Sequence, residues 1–236
     1  MRGTTGVPVR LQYTKHGKVR WIGHRDVARA MERAFRVAEL PLAFSEGFSP
    51  HPKVSFGLAL STGHESDGEY LDLVLVEDVD LDALPDVVSG ALPEGLAVVG
   101  AAHLVDRAPA LQEVVTAVGW RATVAEDPAA AREAIERALT LPELMATRRR
   151  KGREVVEDVR PVIRRMHVVS GEARPPIVEM ELHTQPRGAK PDEVLAVMGL
   201  TCVTARRTHQ WIERDGARHE PLDADTRPRA QKACAS

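Results

Sequence analysis

Residues 25–40 are the most strongly patterned stretch of this sequence, and the pattern is helical. Its apolar residues recur three or four positions apart, which places them on one face of an α-helix. They are Val27, Met31, Ala34, Phe35 and Ala38. Pro41 then ends the pattern, since proline cannot continue a helix. The sequence therefore predicts an amphipathic helix here, the clearest one in the chain.

Extended segments surround this helix. Alternation and turn residues predict strands or short extended pieces over 7–13, 19–22, 42–44, 54–60, 70–76 and 96–104, with a second helix over 81–92. The order is close to β-α-β-β-α-β, the split βαβ arrangement of a ferredoxin-like fold. This predicts a first domain over residues 7–106.

The order partly repeats in the second half of the chain. Strands are predicted over 117–124, 144–147, 154–160, 163–169, 177–183 and 204–213, with helices over 128–139 and 191–198. We therefore expect an α+β fold with two ferredoxin-like (split βαβ) units in tandem, each with an antiparallel sheet. The second domain spans residues 110–221 and carries a basic hairpin, and residues 222–236 are expected to form a disordered tail.

Composition excludes several classes of protein. No apolar run approaches the roughly 20 residues that cross a bilayer, and the start of the sequence carries no secretion signal, so we expect a cytoplasmic protein with no membrane contact. The two cysteines, Cys202 and Cys234, form no C-x-x-C pair. A disulfide framework, a structural zinc site or an iron–sulfur cluster is therefore not expected, and we predict no cofactor. Cys202 is predicted to be a small buried residue.

Charge is distributed unevenly along the chain. Residues 1–56 hold ten Lys and Arg against four Asp and Glu, whereas residues 60–113 hold one against twelve. A basic surface beside an acidic one is compatible with an anionic partner on one side and a protein partner on the other. The alternative is an ordinary solvated surface.

A candidate polar pocket combines two segments. One is the turn and helix start with His24 and Asp26, and the other is a loop with two prolines that hold His51 extended between them. If the loop returns to the helix start, these groups converge into a pocket of the kind that binds phosphate, ribose or a metal. The candidate pocket residues are His24, Asp26, Ser45, Ser49, His51 and Lys53. The alternative is that His24 and Asp26 only cap the helix.

Known catalytic patterns are missing from the sequence. The spacing of His24, Asp26 and His51, with Glu65 or Glu69, matches no zinc or iron motif, so we predict no metal. No serine lies in a G-x-S-x-G sequence, and no phosphate-binding loop of the Walker or dinucleotide type occurs.

Two arginine-containing surfaces are candidates for binding RNA. The predicted nucleic-acid-binding residues are Arg25, Arg29 and Arg33 on the first helix, and Arg148, Arg149, Arg150, Lys151 and Arg153 at the tip of the basic hairpin. Trp21, Phe48 and Trp211 are possible groups for base stacking. Solvated surface arginines remain the alternative.

The first third of the chain resembles the radical-SAM-linked family, a domain of unknown function. The shared motifs are K-x-G-x-x-R-aromatic from Lys15, His24-x-Asp26, R-x-x-E-R-A from Arg29, G-F-S-P-H-P-K from Gly47 and E-S-x-x-E-Y from Glu65. Gly23 and Arg25 depart from the expected serine and leucine. The second half is similar to the family over 159–163 and 187–195.

The resemblance implies a partner rather than a reaction. Such proteins occur fused to a radical-SAM domain or encoded beside one, often near a ribonuclease of the E/G type. The resemblance therefore implies an accessory protein that binds or presents an RNA substrate to a separate radical-SAM enzyme. The alternative is a stand-alone enzyme that acts on a nucleotide-like substrate through His24, Asp26 and His51. The two hypotheses can be distinguished by the structure, because the stand-alone enzyme requires these three side chains to meet in one concave site.

Overall fold

A computed structural model of the chain describes residues 6–150, 153–169 and 174–227. The strands are β1 (Val7–Lys15), β2 (Val54–Phe56), β3 (Glu65–Leu75), β4 (Leu96–His103), β5 (Ala117–Val124), β6 (Met145–Arg150), β7 (Arg153–Asp158), β8 (Ile163–Val168), β9 (Ile177–His183), β10 (Cys202–Arg214) and β11 (Ala217–His219). The α-helices are α1 (His24–Val37), α2 (Leu84–Ser89), α3 (Leu111–Val114), α4 (Pro128–Leu139) and α5 (Pro191–Val197). Two short 3₁₀ helices span Gly17–Trp21 and Arg160–Val162.

One large sheet runs through both halves of the described chain. Its strand order is β4-β1-β3-β10-β5-β9-β8, with β2 paired to β3 and β11 paired to β10. The pairing of β3 with β10 is parallel, and the other pairings in this sheet are antiparallel. The predicted α+β fold with a mostly antiparallel sheet is therefore confirmed. The predicted boundary between the two domains, at residues 106–110, falls between β4 and β5, and both strands belong to this one sheet.

Each half buries one face of its strands under helices. In the first half, Met31 and Phe35 of α1 are fully buried in one cluster with Leu11 of β1 and Leu73 of β3. This is the apolar face that the helical pattern of residues 25–40 predicts. Burial of such side chains contributes about 1.5–3 kcal/mol each, so the cluster is the main source of stability in this half.

The second half is organised around α4. Asp127 begins the helix, because its carboxylate accepts hydrogen bonds from the backbone N–H groups of Ala129 and Ala130 at 3.0 and 3.1 Å. Ala131 and Ile135 then face the strands and belong to a second buried cluster. Small alanines let the helix lie close to the sheet.

Several predicted elements differ from the structure, three of them for clear physical reasons. Residues 19–22 are predicted to be extended but belong largely to the 3₁₀ helix Gly17–Trp21, which Gly17 enters with a φ of 65°. The predicted segment 42–44 makes only isolated bridges, from Leu42 to Leu75 and from Phe44 to Pro52. Strand β3 begins at Glu65 instead of Tyr70, because its polar first half pairs with neighbouring strands.

Residues 222–227 correct the prediction of a disordered tail from residue 222. Asp225 accepts a bidentate ion pair from Arg214 at 2.8 and 3.1 Å, and its carbonyl accepts the N–H of Val105 at 2.7 Å. Ala224 is buried. This short polar stretch is held by ion pairs and backbone hydrogen bonds, and such contacts leave no apolar pattern in the sequence. Residues 228–236 of the predicted tail lie outside the described residues.

None of the helices in the described ranges has both the length and the apolar character that a membrane span requires.

Candidate functional site

His24 and Asp26 lie at the start of α1, and both are exposed. The His24 ring packs edge-to-face against Phe56, with ring centroids 5.1 Å apart. The Asp26 carboxylate lies 3.4 Å from the guanidinium of Arg29, one turn along the helix. Neither side chain acts as the N-cap, a position that Gly23 occupies without a side-chain hydrogen bond.

The proline-containing loop closes on itself. Ser45 Oγ accepts the backbone N–H of His51 at 3.0 Å, and the Ser45 N–H donates to the His51 carbonyl at 2.8 Å. Ser49 and His51 are exposed. The N–H of Lys53 donates to the Ala43 carbonyl at 2.8 Å. The structure thus joins Ser45 to His51.

The two halves of the predicted pocket have no contact of this kind with each other. Within the described residues, no hydrogen bond or ion pair connects His24 or Asp26 with Ser45, Ser49, His51 or Lys53. The described part of the chain also contains no group of three or more His, Cys, Asp or Glu side chains that could bind a metal. A shared pocket of His24, Asp26 and His51 stays a prediction.

The predicted RNA-binding arginines of the first helix are all exposed. We define the α1 basic surface as Lys18, Arg20, Trp21, Arg25, Arg29, Arg33 and Arg36. Trp21 is 64% exposed, and the Arg20 guanidinium lies 5.2 Å from its ring centroid. Arg25, Arg29 and Arg33 follow one another at four-residue intervals on the exposed side of α1. Two exposed carboxylates interrupt this row: Asp26 pairs with Arg29, and Glu32 stands between Arg29 and Arg33 in the helix.

The predicted basic hairpin is present as a separate two-stranded sheet. β6 pairs with β7 in antiparallel register, so that Arg150 lies opposite Arg153. Asp158 fixes its base by accepting the N–H groups of Leu144 and Arg160 at 2.7 and 2.9 Å. Lys151 and the side chains of Arg148, Arg149, Arg150 and Arg153 lie outside what the structure describes.

The two halves of the chain meet where β3 lies beside β10, and charged side chains hold this contact. We call it the seam. Arg206 Nη2 donates to Glu65 Oε2 at 2.9 Å on the exposed side. On the buried side, Arg207 Nη1 lies 2.9 and 3.0 Å from the two oxygens of Glu69. The same nitrogen donates to the carbonyl of Leu58 at 3.0 Å.

Glu69 and Arg207 are buried charges that depend on each other. Their side chains are 4% and 6% exposed. Burial raises the pKa of the Glu69 carboxyl, while the Arg207 guanidinium, Ser66 and Lys15 act in the opposite direction. Burial, with Glu69 adding to it, also raises the pKa of Tyr13. The E-S-x-x-E-Y motif from Glu65 is thus an element of the seam.

A cavity of about 260 Å³ lies against the seam, and we call it the seam cavity. Its wall includes Ser61, His64, Trp120, Lys190, Glu193 and Arg207. The His64 and Trp120 rings meet edge-to-face with centroids 5.4 Å apart, and the Arg207 guanidinium lies 5.0 Å from the Trp120 centroid. His64 Nε2 lies 3.5 Å from the Asp192 carboxylate, and this hydrogen bond lowers the pKa of Asp192.

Three residues that line the cavity each carry a buried nitrogen without a hydrogen-bond partner in the described part of the chain. These nitrogens are His64 Nδ1, Trp120 Nε1 and Arg207 Nε. A buried polar group without a partner costs about 1–3 kcal/mol. Each of these atoms has essentially no accessible surface, so the missing hydrogen bonds are a cost to the fold and not groups that the cavity presents to a ligand.

A second cavity, of about 490 Å³, lies on the sheet face of the second half. Trp211 and His209 stack there with centroids 5.0 Å apart, and the Arg218 guanidinium lies 4.6 Å from the Trp211 ring. Arg121 is paired with Glu179 at 3.1 Å. Trp211, predicted as a stacking group for RNA, is thus already in contact with two side chains of its own chain.

Comparisons with known proteins give one family. The family model described as "Uncharacterized protein conserved in bacteria (DUF2344)" matches residues 9–191. No curated protein matches the chain.

Among solved structures, the chain is similar to a Cbf5-Nop10-Gar1 complex at 10% identity and a TM-score of 0.46, over 87% of this chain and 49% of that one. It is also similar to the archaeal box H/ACA sRNP Nop10-Cbf5 complex at 9% identity and a TM-score of 0.44, over 94% of this chain and 50% of that one. The chain thus spans about half the length of these matched chains.

Proposed function

We propose that this chain, which belongs to the DUF2344 family of bacterial proteins, is a cytoplasmic accessory protein that binds RNA through the α1 basic surface. In this role the protein holds an RNA substrate for modification or processing by a separate enzyme. The resemblance to radical-SAM-linked proteins makes a radical-SAM enzyme the proposed partner, with a ribonuclease of the E/G type as a further one.

The observation that carries the proposal is the row of exposed arginines beside an exposed tryptophan. Arg25, Arg29 and Arg33 are exposed along one line of α1, and Trp21 precedes them with most of its ring in solvent. Phosphates of a strand are attracted to such a row, while an exposed indole stacks on an unpaired base. Lysine and arginine contacts of this kind position a strand without reading its sequence.

The proposal is tested by removing the arginine row. We expect Arg25→Gln/Arg29→Gln/Arg33→Gln to weaken binding to tRNA and rRNA fragments in mobility-shift assays across a salt series. Each phosphate contact contributes about 0.7 to the slope of log K against log salt for single strands, so three lost contacts lower the slope by about 2.

A matched control is available on α4. Arg132→Gln/Arg137→Gln removes two exposed helical arginines from the other half of the chain. If this control weakens binding as much as the triple variant, the α1 basic surface is not the binding surface. If the parent protein gives no shift at low salt, RNA is not a direct ligand.

The partner enzyme is tested separately. We expect the chain to co-purify with a radical-SAM protein from the same cells. In that complex, we expect the triple variant to lose the RNA while the protein contact remains. If the complex forms without RNA for the parent protein but does not form for the triple variant, the α1 basic surface is instead a protein-docking surface.

We also infer that the two halves are ferredoxin-like units. The first places its strands in the order β4-β1-β3-β2 and the second in the order β10-β5-β9-β8. If α3 and the β6–β7 hairpin are set aside, each half runs β-α-β-β-α-β and both orders correspond to 4-1-3-2. This correspondence supports the tandem arrangement with the hairpin as an insertion in the second unit.

A further inference from the structure

We infer that a third cavity, on the sheet face opposite α1, binds a small molecule that carries a negatively charged group on an apolar body. The cavity has a volume of about 360 Å³ and lies against β1, β2, β3 and the segment after β4, and we call it the β2–β3 cavity. Its wall includes Pro8, Lys53, Val74, Leu104, Val105 and Arg107. The inference goes beyond the proposed function, because this cavity and the α1 basic surface lie on opposite sides of the sheet.

Strand alternation decides which side chains face the cavity. Successive side chains of a strand point to opposite faces of the sheet. Leu73 belongs to the buried cluster under α1, and Val54 packs against that cluster. Their neighbours Val74 and Lys53 therefore point to the opposite face, and the Val74 N–H donates to the Lys53 carbonyl at 3.1 Å. The Lys53 side chain thus stands at the cavity and not under α1.

The body of the cavity is apolar. Pro8 of β1 lies opposite Val74 of β3 in the strand register, and both line the cavity. Leu104 is buried and Val105 is 37% exposed, so the segment after β4 adds further apolar surface. The volume lies at the lower end of the range of about 300–1,000 Å³ for small-molecule sites. The ligand therefore has a short apolar body, and each CH₂ group that it buries strengthens binding about fourfold.

Two cations of the wall supply the recognition of charge. Lys53 is half-buried and Arg107 is exposed, so both charged groups are open to a ligand from solvent. Among the described residues, neither side chain takes part in a hydrogen bond or an ion pair. Arg107 is also the one Lys or Arg in the acidic stretch of residues 60–113.

The carboxylates nearby are already neutralised by other cations. Asp72 lies on the same sheet face and forms a bidentate ion pair with the buried Arg10, at 2.6 and 2.8 Å. Asp106, next to Arg107 in the chain, pairs with Arg227 at 2.9 Å. These pairs cancel, so the two unpaired cations leave the cavity with a surplus of positive charge. An anionic head group is attracted there, and an ammonium group is repelled.

The test is isothermal titration calorimetry of the full chain with ligands that share one chain length and differ in the head group. We expect octanoate and octyl phosphate to bind at a single site. Octanol has the same chain without the charge, and we expect it to bind at least about tenfold more weakly. Octylamine has the charge of opposite sign, and we expect no binding. Hexanoate, which is two CH₂ groups shorter, should bind about fifteenfold more weakly than octanoate.

Variants of the two cations connect the binding to the β2–β3 cavity. Lys53→Met and Arg107→Gln remove one charge each, and we expect each to weaken octanoate at least about tenfold while octanol binding stays unchanged. The unchanged octanol binding also shows that the variants are folded. Lys18→Met and Arg132→Gln, at exposed residues elsewhere, are the matched controls and keep the parent affinity. Ala108→Phe fills the cavity, and we expect it to block octanol as well.

The inference is overturned if octanol or octylamine binds as tightly as octanoate, which would mean that the cavity does not select for charge. It is also overturned if no octyl ligand binds, or if inorganic phosphate displaces octanoate at equal concentration, which would make the cations a simple anion site.

The variant Arg25→Gln/Arg29→Gln/Arg33→Gln separates this inference from the proposed function. If both are right, this variant loses RNA binding and retains octanoate binding. A parent protein that binds RNA but not octanoate contradicts only the ligand of the β2–β3 cavity, and one that binds octanoate but not RNA contradicts only the proposed function.

Discussion

Replacing Glu69 by glutamine removes one charge of the buried pair at the seam while keeping the size of the side chain. The two side chains are 4% and 6% exposed and their atoms lie 2.9 and 3.0 Å apart, so solvent offers Arg207 little compensation. Breaking a buried pair by removing one partner costs about 3–5 kcal/mol. For a chain of this size each kcal/mol lowers Tm by about 2–4 °C. We therefore expect Glu69→Gln to lower Tm by about 6–20 °C.

The assays are thermal unfolding, which gives Tm, and urea denaturation, which gives the free energy of unfolding, of the parent and variant proteins at pH 7. Glu133→Gln is the control, since its pair with Arg137 on α4 is exposed and such helical pairs contribute only about 0.3–0.5 kcal/mol. Glu69→Leu/Arg207→Met removes both charges, and we expect it to be less destabilised than Glu69→Gln alone. With the single variants Glu69→Leu and Arg207→Met, a double-mutant cycle then gives the coupling energy.

The result also decides the charge state of Glu69. Burial raises the pKa of this carboxyl, against the effect of Arg207. If the carboxyl were neutral at pH 7, glutamine would replace it at little cost. A loss below about 1 kcal/mol for Glu69→Gln would therefore refute the buried ion pair and the energetic argument built on it.

Three further predictions concern other parts of the chain. Burial alone would raise the pKa of Glu65, but the N–H of Gly17 and the Arg206 guanidinium lower this pKa below its ordinary value of 4.5. The contribution of Glu65 to stability is therefore complete above pH 4.5 and is lost as the pH falls through the lower pKa of the folded state. We expect Glu65→Gln to flatten the fall in stability as the pH drops below about 4.5, measured by urea denaturation, and equal profiles would contradict this. Burial raises the pKa of the Cys202 thiol to about 11. In a Cys234→Ser background, alkylation by iodoacetamide at pH 8 should thus be about two orders of magnitude slower than for a free thiol, and a rate like that of glutathione would refute it. Finally, Arg148→Ala/Arg149→Ala/Arg150→Ala/Lys151→Ala should weaken RNA binding in a salt-dependent way without loss of stability if the hairpin tip contacts phosphates, and unchanged affinity would exclude the tip.

Elements with strong local signals could be predicted closely from the sequence. The helix α4 and the strands β5 and β9 have the predicted bounds. Asp127 before Pro128 is a helix-start signal, and the apolar residues that follow have one clear period. The apolar face of α1 was predicted for the same reason.

Elements determined by distant contacts could not be predicted in this way. The prediction of an extended segment over residues 19–22 was wrong, because tertiary contacts occupy the backbone there: Gly63 and Lys15 both donate to the Arg20 carbonyl. The start of β3 was missed because Glu65 has the polarity of a loop residue, although it lies beside Arg206 of β10.

The seam and its cavity were also missed, for a related reason. Glu69 and Arg207 are 138 residues apart, and pattern reasoning has no access to a pairing over that distance. One local signal was available. Ala205 and Arg207 occupy alternate positions of a strand and both are buried, so an arginine stands where the alternation requires an apolar residue. A charged residue at such a position needs a partner of opposite charge.

The distance between the two sides of the seam has a consequence during translation. Glu69 leaves the ribosome 138 residues before Arg207, which at about 5–20 residues per second is a delay of about 7–28 s. Throughout this interval Glu65 and Ser66 of β3 lack their partner strand β10, and the Glu69 carboxylate lacks the Arg207 guanidinium. We therefore expect the N-terminal half to finish folding only after β10 has been synthesised, and we expect nascent chains stalled before residue 207 to expose this part of β3 to chaperones.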